Sequence, residues 1–208
     1  MIDVFEQTQL YEFLLYCEST GLEKTVLDCG AGGHCPPLAI FAQRGFKTFG
    51  IDFCDEAIDA ANVFGKARGL ELNISNADMR ELPFDDESMS FVYSYNTIFH
   101  MTKADISKAM NEIKRVLKPN GLCYVNLLTT DDCGYGQGEE LGKGEFLYRQ
   151  GEYEILHTFY TPDESDKLVE DMELVHREIR TLERVFQGGF LKGKKIKQGF
   201  IDYVVKKK

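Results

Sequence analysis

The chain has 208 residues, 43% of them hydrophobic and 28% charged, and a formal net charge of −10 from 24 basic and 34 acidic residues. That length suits one domain with a three-layer core, and the acidic balance speaks against a nucleic-acid partner, which calls for a basic face. No apolar run approaches the ~20 residues of a membrane span, and "MIDVFEQTQLYEF" lacks the basic start and apolar core of a signal peptide, so a cytoplasmic location is expected. The six cysteines (Cys17, Cys29, Cys35, Cys54, Cys123 and Cys133) include no C-x-x-C pair. Free thiols and no metal site are expected.

In chain order, Leu10, Leu14 and Cys17, with Phe13, mark one face of a helix over 4–20. "TVLDC" (25–29) reads as a short buried strand, and Pro36-Pro37 open a helix through Arg44. A second strand is expected at 46–52, a helix capped by Asp55 and running to about Arg68, a third strand at 70–74 and a fourth at 90–95. Thr102-Lys103-Ala104-Asp105 resembles a capping sequence for a helix with Ile106, Ala109, Ile113 and Val116 on its buried face. "KPNG" (118–121) should end that helix before a fifth strand at 122–128. Strands alternating with helices imply an α/β fold with a parallel central sheet. Residues 131–152 hold six glycines and little periodicity, and are expected to form a long loop or insert. Thr161-Pro162-Asp163-Glu164 is a capping box, and 173–185 and 199–208 read as an antiparallel pair of strands.

The stretch "VLDCGAGGH" (26–34) carries the chemistry. A glycine loop between a strand and a helix lets a ligand approach backbone N–H groups. A dinucleotide would put its pyrophosphate there and wants G-x-G-x-x-G. Gly30 and Gly32 fit, but the third position is Cys35, and Asp28 would repel a phosphate. S-adenosylmethionine has no phosphate and is cationic at its ammonium and sulfur, so Asp28 complements it directly or through water. Asp52, 24 residues on, ends the second strand, where a carboxylate can accept from both ribose hydroxyls. Phe53 offers an apolar edge to an adenine. Asp78 can accept from its amino group, and the Met79 N–H can meet a ring nitrogen.

These segments, with "ADMRELPFDDESMSFVYS" and "EIKRVLKPNGLCYV", resemble the class I S-adenosylmethionine-dependent methyltransferases, in particular the ubiquinone/menaquinone-biosynthesis type. The resemblance runs from about Thr25 to Thr129. It implies a Rossmann-like, doubly wound, mostly parallel sheet of seven strands with the last antiparallel and helices on both faces. It implies cofactor contacts at Asp28, Gly30, Ala31, Gly32, Asp52, Phe53, Asp78, Met79, Ser94, Tyr95 and Asn96. The chain departs from the family pattern at His34 and Asn120, which stand where glycines are usual, and at Ser90, which stands for an aspartate.

Methyl transfer has no obligatory catalytic motif, because alignment supplies much of the acceleration and a base is needed only when the acceptor must lose a proton. His100 is the candidate base, and Tyr95 stands at the strand end facing the transferred group. The aromatic residues of 131–160, Tyr135, Phe146, Tyr148, Tyr153, Phe159 and Tyr160, suit a lid that orders over an acceptor, and Tyr11 and Tyr16 either close the opposite side or pack. The expectation is a single domain over 1–208, monomeric or weakly dimeric, with a cofactor half at 21–130 and a substrate side at 131–208. It would methylate a small molecule. The alternatives are an NAD-dependent oxidoreductase and a non-catalytic S-adenosylmethionine-binding sensor or partner protein.

Overall fold

A computed structural model describes residues 8–150, 153–185, 193 and 195–208. Helix α1 (Thr8–Ser19) precedes β1 (Thr25–Cys29), α2 (Leu38–Gln43), β2 (Lys47–Asp52), α3 (Asp55–Lys66), β3 (Ile74–Asn76) and β4 (Met89–Ser94). A short 3₁₀ turn (Ile98–His100) leads to α4 (Lys103–Val116) and β5 (Leu117–Thr129). The rest of the chain forms β6 (Glu139–Gly142), β7 (Glu145–Gln150), β8 (Tyr153–Tyr160), α5 (Pro162–Asp166), β9 (Glu173–Val185) and β10 (Lys195–Lys206).

The main sheet runs β3-β2-β1-β4-β5, all parallel, then continues through β10, antiparallel to both β5 and β9. Alternation along β1 explains the layers. Val26 faces α1 and α2, packing with Phe13, Phe41 and Tyr93, while Leu27 and Cys29 face the other side with Ile106, Ala109 and Ile113 of α4. Helix α4 starts where its cap predicts: the Thr102 hydroxyl accepts from the Asp105 N–H at 3.1 Å. The capping box at α5 is present in both directions. Ser90, which replaces an acid, is buried and joined to Thr25 at the start of β1. Asn120 takes a positive φ of 65°, a conformation asparagine tolerates.

Several expectations are corrected. Cys54, not Asp55, is the N-cap of α3, and Asp55 accepts from the Asn76 side chain at 2.6 Å. The third strand is Ile74–Asn76 rather than 70–74: Leu72 is buried beneath α3, where a Cβ on Gly65 would lie 3.2 Å from it. "KPNG" falls inside β5, which pairs with Met89 at Leu117 before its register shifts. The largest difference lies in 131–152. In place of a loop, β6, β7 and β8 form an antiparallel meander joined to the end of β5 through Leu128–Phe159 and Thr129–Tyr160. Its glycines supply turns, Gly136, Gly138 and Gly144 having positive φ. Tyr135, Phe146 and Phe159 pack edge to face and anchor it. Residues 151–152 and most of the expected β9–β10 connection lie outside the described residues. No helix among the described residues is long and apolar enough to cross a membrane.

Candidate active site

The carboxyl ends of β1, β2 and β4 open onto a cleft of about 740 Å³, closed on the far side by β8. Such crevices at the strand ends are where open α/β sheets bind ligands. Its floor is set by the glycine loop. The N–H groups of Gly30 and Ala31 both donate to the Ile51 carbonyl at 2.9 Å, tying the loop to β2. Gly30 has a φ of 108°, and any Cβ there would lie 2.3 Å from the Thr97 hydroxyl. Gly32 donates to Asp52 Oδ2 at 2.9 Å, an approach open only to glycine because a Cβ would sit 2.7 Å from that oxygen. Asp52 Oδ1 accepts from the Cys54 N–H at 3.0 Å. Each Asp52 oxygen thus has one protein donor and a remaining lone pair. Phe53, beside it on the cleft wall, is 81% exposed.

Asp28 lies beneath the loop rather than in the cleft wall and is 2% exposed. Its Oδ2 is buried without a hydrogen-bond partner. Burial pushes this carboxyl up to about 8, the Tyr93 hydroxyl opposes the rise and the charge of Asp52 adds to it. Ala31 and Ser94 are also buried away from the cleft, and the Ser94 hydroxyl donates to the Cys29 carbonyl at 2.9 Å. Tyr95 packs near Tyr124 on the α1 side and does not line the cleft. Asn96, at a φ of 56°, is fixed by Asn126, which accepts from its N–H and donates to its side-chain oxygen, both at 2.7 Å. Tyr11 and Tyr16 pack against the same core.

Asp78 and Met79 do line the cleft, but Asp78 is engaged. Arg80 donates to it from its backbone N–H, from Nε and, at 2.5 Å, from Nη2, and reaches Asp105 of α4 through Nη1 at 3.0 Å. The guanidinium bond holds the Asp78 carboxyl below its usual range.

His100 stands on the opposite wall, its Nδ1 3.0 Å from the Leu156 carbonyl of β8. A carbonyl only accepts, so Nδ1 carries the proton and the neutral ring keeps a bare Nε2 lone pair. Partial burial lowers the His100 pKa, the Leu156 contact working against it. His157, its ring centroid 4.9 Å away, is pushed down to about 4 by burial and then by His100, so both imidazoles are neutral near pH 7. The cleft residues that sequence patterns missed include Arg80, Thr97, Met101, Asp105 and Glu154–Leu156. Arg80 and Asp105 stand inside motifs read from the sequence, whereas Glu154, Ile155 and Leu156 fall among the aromatic residues of 131–160 without a pattern of their own.

Comparison with known proteins agrees with this geometry. Residues 27–125 match the family described as "Methyltransferase domain". An uncharacterized methyltransferase, YcgJ, of Bacillus subtilis is 32% identical over 100 residues, 48% of this chain and 38% of that protein. The phosphoethanolamine N-methyltransferase of Plasmodium falciparum is 29% identical over 147 residues, 62% of this chain and 53% of that one. This chain therefore spans roughly two fifths to one half of those relatives. A solved structure of a SAM-dependent methyltransferase from Methanosarcina mazei superposes with a TM-score of 0.75 at 23% identity, covering 93% of this chain and 96% of that one, a likeness of fold.

Proposed function

We propose that this chain, which carries a class I S-adenosylmethionine-dependent methyltransferase domain, uses its cleft to transfer a methyl group from that cofactor to a small-molecule acceptor. The observation that carries the proposal is the Gly32–Asp52 contact: a loop with no room for a side chain holds a carboxylate with free lone pairs at the cleft wall. The residues present fit the cofactor. Asp52 accepts from the ribose hydroxyls, Phe53 and Met79 flank the adenine, and the Gly30–Gly32 backbone admits the methionine tail. The unpartnered Asp28 oxygen beneath the loop is the acid that a cationic ammonium would ionise. Asp78 is available to the adenine amino group once Arg80 yields one of its bonds. Residues 21–130 hold the cofactor, and 131–208 share the acceptor side with Thr97, His100 and Met101.

When bound, S-adenosylmethionine supplies an electrophilic methyl carbon on a cationic sulfur. The protein's part is to align the acceptor against that carbon and exclude water, worth about 7–11 kcal/mol for well-oriented reactants. With the cofactor in place, His100 Nε2 would take the proton given up by the acceptor heteroatom and pass it to water. The phosphorylated acceptor named for the Plasmodium relative is not carried over: the one guanidinium among the described lining residues is already shared by two carboxylates. Incubation with methyl-labelled cofactor and fractionated metabolite extract tests the proposal. Label entering a small molecule supports it. Cofactor binding with no transfer in any fraction would favour the sensor alternative.

A further inference from the structure

We infer that the acceptor half of the cleft selects an uncharged or cationic molecule with an apolar body, and that Glu154 is the residue that turns anionic acceptors away. The inference rests on the methyl-transfer proposal above. With Asp52, Phe53 and Met79 given to the cofactor, the remaining lining includes Thr97, His100 and Met101 and, from β8, Glu154, Ile155 and Leu156. Met101, Ile155 and Leu156 are apolar lining residues, and Ile155 is 42% exposed although it belongs to a strand. Such a lining suits a ring or an alkyl chain.

The charge around it is negative on balance. Glu154 is bonded by Arg149 Nε at 2.6 Å, but the same guanidinium is also held by Glu139 at 2.5 Å, so the trio keeps one negative charge. Across the cleft, Arg80 lies between Asp78 and Asp105, while Asp52 has no cationic partner among the described lining residues. Lys108 reaches Asp105 from outside at 3.0 Å. His100 and His157 are neutral near pH 7. An entering carboxylate or phosphate would meet Glu154 and find no uncommitted cation among the described lining residues. To reach the Arg80 guanidinium it would have to displace Asp78 or Asp105. An amine or a neutral hydroxyl compound meets neither obstacle.

The test uses three phenols of matched size, tyramine, tyrosol and para-hydroxyphenylacetate, added to the full chain saturated with S-adenosylhomocysteine and followed by ligand-observed NMR at low salt. Calorimetry with S-adenosylhomocysteine comes first, and failure of that step refutes the methyl-transfer proposal rather than the charge selection. The cation and the neutral phenol should bind about three- to fivefold more tightly than the anion, as expected for a partly exposed charge. The gap should narrow at high salt and in Glu154→Gln. An anion bound as tightly as the others, no binding by any of the three, or a gap unchanged in Glu154→Gln overturns the inference.

Discussion

Replacing Asp28 by asparagine should stabilise the unliganded chain, and more so as the pH rises. The side chain is 2% exposed, one oxygen has no partner, and burial raises its pKa to about 8. In the unfolded chain an aspartate titrates near about 4. The folded form therefore holds a proton that the unfolded form sheds, so the stability tied to this group is complete below about pH 4 and is lost as the pH rises through about 8. Four pKa units at about 1.36 kcal/mol each set a full loss of about 5 kcal/mol. Some 2–3 kcal/mol of it, on the same linkage relation, falls between about pH 5 and 7. Asparagine keeps the shape and does not titrate. Urea unfolding of both proteins from about pH 5 to 7 should show the advantage of the Asp28→Asn variant growing by that amount. Parallel pH dependences would refute the buried, unpaired carboxyl.

Other consequences can be checked separately. Gly32→Ala places a Cβ 2.7 Å from Asp52 Oδ2 and 2.6 Å from Ala57, so cofactor binding and folding stability should each weaken by about 1–3 kcal/mol for the disrupted hydrogen bond; calorimetry and thermal melts read the two effects. The turnover rate should rise with pH through an apparent value below 6.5 and be level by neutrality, since His100 must be unprotonated and its pKa is lowered; His100→Gln should remove that limb of the pH–rate profile. Amides of β7 and β8 that pair across the meander should exchange as slowly as other paired strands, whereas a loop-like fast exchange in 145–150 would contradict the pairing.

The parallel half of the fold was legible because its signals are local. Continuous apolar strands such as "TVLDC" must be buried on both faces, and the Thr102 and Thr161 caps mark helix starts by a hydrogen bond within one turn. The misplaced β3 shows where this fails. Leu70 and Leu72 look like strand residues, but their apolar partners belong to α3, and pairing passes to Ile74–Asn76. The meander was hidden by its glycines, which broke the alternation that marks strands, while Phe146 and Phe159 find their packing partners only in three dimensions. At the site, the Gly-x-Gly loop and Asp52 were readable because a fixed spacing links backbone approach to a carboxylate. The Arg80 bridge to Asp105, 25 positions away, and the bond from His100 to the Leu156 carbonyl are set by tertiary contacts with no sequence period.

The central claim is that Asp52 and the glycine loop bind S-adenosylmethionine, and titration calorimetry of the native chain and Asp52→Ala with that cofactor and with NAD tests it most directly. Hydrogen bonds to a charged group are worth about 1.5–3 kcal/mol each, so losing the ribose contacts should weaken cofactor binding by at least about tenfold. The native chain should bind S-adenosylmethionine and give no comparable heat with NAD. Tighter binding of NAD, or an affinity for S-adenosylmethionine unchanged in Asp52→Ala, would contradict the account.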